Sequence, residues 1–197
     1  MRLIHTSDWH LGRAFHGVGL LDAQGRFVDH LVETVRSEKV DAVLVSGDVY
    51  DRALPSPATV ELLSETVTRL VDAGAQVVLS SGNHDSAIRL GFASALLSRA
   101  GLHIRSSVDG IAAPVVVEGV AIHAIPFLEP SQAAVSLGTS ERTHAAVLAD
   151  HHVLGLEVAV DDVPGVREVN GIGDLHQDAQ VALEEIHVAE QLAGLVG

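Results

Sequence analysis

Three aliphatic runs in the first 85 residues each lead into a short polar segment of the same kind. Leu3-Ile4-His5-Thr6 leads into Asp8-Trp9-His10, Ala42-Val43-Leu44-Val45 into Gly47-Asp48-Val49-Tyr50-Asp51, and Val77-Val78-Leu79-Ser80 into Gly82-Asn83-His84-Asp85. Short apolar runs bounded by turn residues are expected of strands buried on both faces, as in a parallel sheet. Segments of helical spacing separate them, so the chain is expected to fold as layered α/β with a largely parallel sheet. The three polar segments then share the C-terminal edge of that sheet, where open α/β sheets bind their ligands.

The spacing predicts the intervening elements. Residues 22–38 carry Phe27, Leu31, Val32 and Val35 one helical turn apart. Ser56-Pro57 opens a second helix, with serine as cap and proline in the first helical position. That helix runs to about residue 72 on an apolar face of Val60, Leu63, Val67, Leu70 and Val71, and Gly74 stops it. A third helix is expected over residues 86–99, followed by Gly101 and a strand over 102–105. Strands over 115–117 and 120–125 flank Glu118-Gly119, a two-residue hairpin turn. Beyond Pro130 the pattern weakens: a helix over 140–149, a strand over 153–160, a turn at 161–165 and an amphipathic helix over 178–195. The expected division is a core over residues 1–130 and a divergent or truncated segment over 131–197.

Composition narrows the classes. Of 197 residues 47% are hydrophobic but only 3% aromatic, so the core is aliphatic. With no cysteine, disulfides and thiolate metal sites are excluded. The first strand begins at residue 2 with no signal-peptide pattern ahead of it, and no apolar stretch is long enough to span a bilayer. A cytoplasmic protein with no membrane association is expected. The net charge is −14, and residues 131–197 carry 11 acidic but only 2 basic residues. Such a chain does not hold DNA by charge alone, although bound divalent metals reverse the local sign.

The polar segments carry the chemistry. At an extended strand end, positions two apart point to the same side, so Asp8 and His10 together suit one cation. Asp48 is placed to bridge two ions. Asn83 offers a neutral carbonyl oxygen, and His84 an imidazole beside a substrate phosphate. Asp85 either hydrogen-bonds His84 and orients it or caps the helix that follows. Singly, each segment also reads as an ordinary surface pair or turn, but three in succession make a common site the better account. Mixed oxygen and imidazole donors suit manganese, iron or zinc better than magnesium or calcium. Two such ions about 3.5–4 Å apart clamp a phosphate ester and lower the pKa of a bound water.

The three segments resemble the first three motifs of the calcineurin-like metallophosphoesterases. The wider wording, His5-Thr6-Ser7-Asp8-Trp9-His10-Leu11-Gly12-Arg13, Ser46-Gly47-Asp48-Val49-Tyr50-Asp51-Arg52 and Ser81-Gly82-Asn83-His84-Asp85-Ser86, is similar to the SbcD-type nuclease subunits, as is Ile125-Pro126-Phe127-Leu128-Glu129-Pro130. The resemblance covers about residues 1–130. It implies a metallophosphoesterase-like α/β sandwich and a manganese-dependent exonuclease and endonuclease acting on DNA ends and hairpins. It also implies an SbcC-type ATPase partner and a pair of nuclease subunits. Carried over by motif, Asp8, His10, Asp48 and Asn83 are metal ligands, two divalent ions (Mn2+) are the cofactor, and His84 is the catalytic histidine. Two later histidine motifs of the family have partial counterparts in His151-His152 and in Gly173-Asp174-Leu175-His176. Whether His151, His152, Asp174 or His176 complete the metal site stays open.

Other residues carry weaker readings. His5 is expected to be a satisfied core residue, and His30, His103, His123, His144 and His187 structural or solvated. Phe15 and His16 suit local packing, or contact with DNA or a second subunit. Arg13 and Arg52 suit phosphate contact or surface ion pairs. Two alternatives to a DNA nuclease remain: a metallophosphoesterase of small molecules, and a catalytically incomplete fragment of an SbcD-type nuclease.

Overall fold

The computed structural model describes residues 1–149. In chain order the elements are β1 (Leu3–Ser7), β2 (Ala14–Phe15), β3 (Val18–Gly19), α1 (Leu21–Glu38), β4 (Ala42–Ser46), α2 (Pro57–Asp72) and β5 (Gln76–Ser80). They continue with α3 (Ala87–Leu90), α4 (Ser94–Leu97), β6 (Leu102–Arg105), β7 (Val115–Val117), β8 (Val120–Ile122), α5 (Pro130–Leu137) and α6 (His144–Ala149). Strands β1, β4, β5 and β6 form a four-stranded sheet in that order, every pairing parallel. Ser7, Ser46 and Ser80 are in register, so the three polar segments leave the sheet side by side.

The period of two along the strands divides the core. Val43, Val45, Val77 and Leu79 face α1 and α2, where Val28, Leu31, Val35, Leu63 and Leu70 complete one apolar cluster. Burying each of these side chains contributes about 1.5–3 kcal/mol. Ala42 and Val78 point the other way, against Val115 and Val117 of the β7–β8 hairpin. A third, smaller cluster joins Ile111 and Leu128 to Ala133 and Ala134 of α5 and Val147 of α6. Ser56 caps α2 by accepting the Thr59 N–H at 3.3 Å, with Pro57 in the first turn. Glu118 and Gly119 both have positive φ, 48° and 80°, as a type I′ hairpin turn requires.

Several expectations are corrected. On α1 the buried position is Val28 rather than Phe27, which lies half exposed with its ring edge-on to Trp9. On α2, Thr59 and Thr66 are buried while Val60 is exposed. The expected helix over 86–99 is two single turns, α3 and α4, broken where Ala93 takes a left-handed φ of 57°. Strand β8 stops at Ile122, three residues short. His5 lies exposed, its Nε2 2.7 Å from the Ser46 hydroxyl on the face away from α1 and α2. Helix α5 and the β2–β3 pair carried too few residues to stand out from periodicity. The readings at 153–160, 161–165 and 178–195, and His151, His152, Asp174, His176 and His187, lie outside the described residues. No helix among those residues is long and apolar enough to cross a membrane.

One half-buried histidine ties stability to pH. His103 on β6 lies with Nε2 2.8 Å from Gln76 Oε1 on β5. Burial, and then the Arg105 guanidinium, push its pKa down. Folding therefore favours the neutral ring, and that stabilisation is full above the ordinary histidine pKa of about 6.5 and lost as pH falls through the lower folded value. Replacing His103→Gln, which keeps a donor for Gln76, is expected to flatten the loss of stability on acidification below about pH 6.5. Urea unfolding at a series of pH values checks this, and an unchanged slope would contradict it.

Candidate metal centre

The hydrogen-bond ladder between β1 and β4 does not stop at the strand ends. The His10 N–H donates to the Asp48 carbonyl at 2.8 Å, Leu11 to Val49 at 3.0 Å, and the Asp51 N–H to the Leu11 carbonyl at 3.1 Å. Two polar segments are thereby zipped together. Gln24 of α1 holds the first from below: Nε2 donates to the carbonyls of Trp9 and His10, and Oε1 accepts the Gly12 N–H. Sequence reasoning missed Gln24. Its only signal is a polar side chain on the inner face of an otherwise apolar helix.

Asp85 fastens the third segment. Its carboxylate accepts the N–H groups of Val49 at 3.0 Å, Tyr50 at 2.9 Å and Gly82 at 2.8 Å. This corrects both readings of Asp85 from sequence, since it neither orients His84 nor caps the next helix; Ser86 is the cap. In return the His84 N–H donates to Asp48 Oδ1 at 2.9 Å. Burial, and then the Asp85 charge, push the Tyr50 hydroxyl up to about 12, so it stays protonated.

The backbone here is strained. Asp8, His10 and Asp48 take left-handed φ values of 54°, 43° and 39°, a conformation that costs a non-glycine residue on the order of 1–3 kcal/mol. The strand geometry expected for Asp8 and His10 is therefore replaced, because β1 ends at Ser7 and the chain turns sharply through both. Gly82 is required by closeness, since a Cβ there would lie 2.0 Å from Asp48 Oδ1 and 2.1 Å from the Asp48 nitrogen.

The result is a tight group: ligand atoms of His10, Asp48 and His84 all lie within 4.8 Å of one another. Asp48 is buried. His10 Nε2 is 3.6 Å from Asp48 Oδ2, and His10 Nδ1 is 3.6 Å from Asp51 Oδ1. These separations exceed a hydrogen bond yet fall short of twice a metal–ligand bond of about 2.0–2.2 Å. His10 Nδ1 is also buried with no hydrogen-bond partner among the described residues. An orphaned imidazole nitrogen among carboxylates fits a divalent ion. Asp8 is not in the tight group; with Asn83, Asp48 and Phe127 it lines the open cleft beside it.

His84 is exposed at the rim. Its Nδ1 lies 2.8 Å from the Asp51 carbonyl, which fixes Nδ1 as the donor and leaves Nε2 free. That hydrogen bond, opposed by some desolvation and then helped by Asp48 and Asp51, raises its pKa. Arg13 and Arg52 both lie within ion-pair range of Asp51, at 4.0 and 3.8 Å. Phe15 is exposed and edge-on to His16.

Residues 1–132 match the calcineurin-like phosphoesterase family. The chain belongs to that family. It is also 33% identical over 128 residues to the SbcD subunit of the nuclease SbcCD from Staphylococcus saprophyticus, an alignment that covers 64% of this chain and 34% of the relative. The chain thus spans about a third of the length of the curated relative it matches. Membership supports a hydrolase that binds divalent metal.

Two substitutions test how the site is held. Asp85→Ala strands three backbone donors, each costing about 1–3 kcal/mol if left unpaired. It is expected to destabilise the protein by about 2 kcal/mol or more in urea unfolding; a change below about 0.5 kcal/mol would contradict the clasp. Gly82→Ala is expected to displace Asp48 and weaken manganese binding, read by isothermal titration calorimetry. Affinity equal to that of the unaltered chain would contradict the close approach.

Proposed function

We propose that this chain hydrolyses phosphodiester bonds in DNA with two bound manganese ions, as the nuclease part of an SbcC–SbcD-type complex acting on DNA ends or hairpins. The observation that carries the reading is the convergence of His10, Asp48 and His84, with Asp8 and Asn83 beside them, at three adjacent strand ends. The named nuclease relative supports DNA as substrate. Asp8, His10, Asp48 and Asn83 are the proposed ligands. Divalent ions at such a site supply Lewis-acid charge and a water acidified enough to attack phosphorus.

The remaining steps belong to the chain. Asp48, fixed by the His84 N–H, holds its carboxylate between the β1 and β5 segments. His84, with Nδ1 committed to the Asp51 carbonyl, keeps Nε2 available. When protonated, Nε2–H donates to a phosphate oxygen, or to the ester oxygen that leaves as its bond to phosphorus breaks. Residues within the proposed core over 1–130 supply these groups.

A second copy of the chain is the proposed partner at α3–α4. Ile88, Phe92 and Leu96 are 88%, 80% and 64% exposed, with Leu54 at 73%. Arg89 ties the two regions by donating to the Ala53 carbonyl at 3.2 Å. Large apolar side chains exposed on neighbouring segments support a protein interface there. Phe92→Glu is expected to shift the chain from dimer to monomer in analytical ultracentrifugation; a monomer before substitution would refute the pairing.

Activity gives the direct test. With manganese, the chain is expected to cleave both bis-p-nitrophenyl phosphate and DNA ends, and His84→Ala to lower kcat by roughly 10²–10⁴-fold. Cleavage of the small ester without DNA would favour the small-molecule reading, which the net charge of −14 supports. Inertness towards both would leave the incomplete fragment.

A further inference from the structure

Residues 86–108 contain no acidic residue in a chain that has 26, yet they carry Arg89, Arg99, Arg105, His103 and five serines. This stretch forms α3, α4 and β6. Where α4 meets β6 there is an open pocket of about 450 Å³ lined by Ser94, Ser98, Arg99, His103, Arg105 and Ser107, with no carboxylate in its wall. Arg2, Arg13, Arg52 and Arg69 all lie within ion-pair range of acids. Among the described residues Arg99 and Arg105 have no such partner.

The pocket is partly preorganised. Arg105 donates from Nη2 to the Ala113 carbonyl at 3.3 Å. Its chain passes over Gly110, where a Cβ would come within 3.0 Å of Arg105 Cδ. His103 Nε2 is engaged with Gln76, so the charge of the pocket comes from the two guanidiniums. A planar guanidinium fork matches phosphate oxygens.

Its position links it to the metal centre. β6 is the next strand after β5, with Arg105 in register with Ser80 and the Ser81 N–H donating to the Arg105 carbonyl at 3.1 Å. One step between strands is about 4.8 Å. Ser106 and Ser107 form a wall shared by this pocket and a cleft of about 420 Å³ lined by Asn83, Asp85 and Phe127. Ser106 and Ser107 therefore place the arginine pair next to the cleft at the strand ends, whose lining also carries Asp85 and Glu129.

We propose that the Arg99–Arg105 pocket binds a backbone phosphate of the nucleic-acid strand whose scissile phosphate lies at the metal centre. It is a remote subsite that selects polynucleotides over small phosphodiesters. The inference rests on the phosphodiesterase reading and supplies local positive charge in a chain of net charge −14.

The test compares the full chain with an Arg99→Gln/Arg105→Gln double variant. Binding of a fluorescent single-stranded oligonucleotide is followed by anisotropy over a range of salt, alongside manganese-dependent hydrolysis of bis-p-nitrophenyl phosphate. The double variant is expected to bind the oligonucleotide about tenfold more weakly, with the salt slope reduced by about 0.7 for each phosphate no longer neutralised. Its kcat/KM on the small ester is expected to stay within about twofold. Arg99→Gln alone, at an exposed side chain, should shift affinity and salt slope the same way and guards against damage to the fold. Unchanged affinity and slope in both variants would overturn the inference and leave the phosphodiesterase reading standing. So would a chain that cleaves the small ester but binds no oligonucleotide. A chain inert towards both would overturn the reading on which the inference rests.

Discussion

The candidate centre depends on a reciprocal clasp between two carboxylates. Asp85, from the segment after β5, takes the N–H groups of Val49 and Tyr50 after β4 as well as that of Gly82. Asp48, from the segment after β4, takes the N–H of His84 after β5. Each loop holds the other's acid, and hydrogen bonds to ionised groups are roughly twice as strong as neutral ones. A parallel sheet brings its strand ends together but does not aim the side chains beyond them. The clasp and the β1–β4 ladder continued through Leu11 do that.

This fastening offsets a cost. Three non-glycine residues in left-handed backbone, a buried carboxylate and an unpartnered imidazole nitrogen each destabilise the apo chain. They all fall within the two segments that the clasp and Gln24 secure. Strain at these three residues, beside a sheet with a buried apolar core, is what a preorganised ion site requires. The same rigid edge continues sideways into β6, so a charge carried at Arg105 is fixed relative to Asn83.

The parallel sheet was legible because Val43, Val45, Val77 and Leu79 belong to short apolar runs that only doubly covered strands tolerate. Ser56-Pro57 and Glu118-Gly119 were legible because their chemistry is local. The break at Ala93 was not, because Leu90, Leu96 and Leu97 keep helical spacing whether one helix or two turns carry them. At the candidate site, His10, Asp48 and His84, each from one of the three motif segments, converge. The work of Asp85 was misread, because a carboxylate next to a histidine looks like its partner, whereas the donors it satisfies lie up to 36 residues away. Gln24 was invisible for the same reason: its partners are backbone groups of a distant turn.

The most direct measurement is bound manganese in the unaltered chain and in Asp48→Ala, by elemental analysis after equilibrium dialysis with circular dichroism to confirm that both are folded. The account predicts manganese on the unaltered chain and its loss from Asp48→Ala. Equal manganese on both, or none on either, would contradict a metal centre at these strand ends.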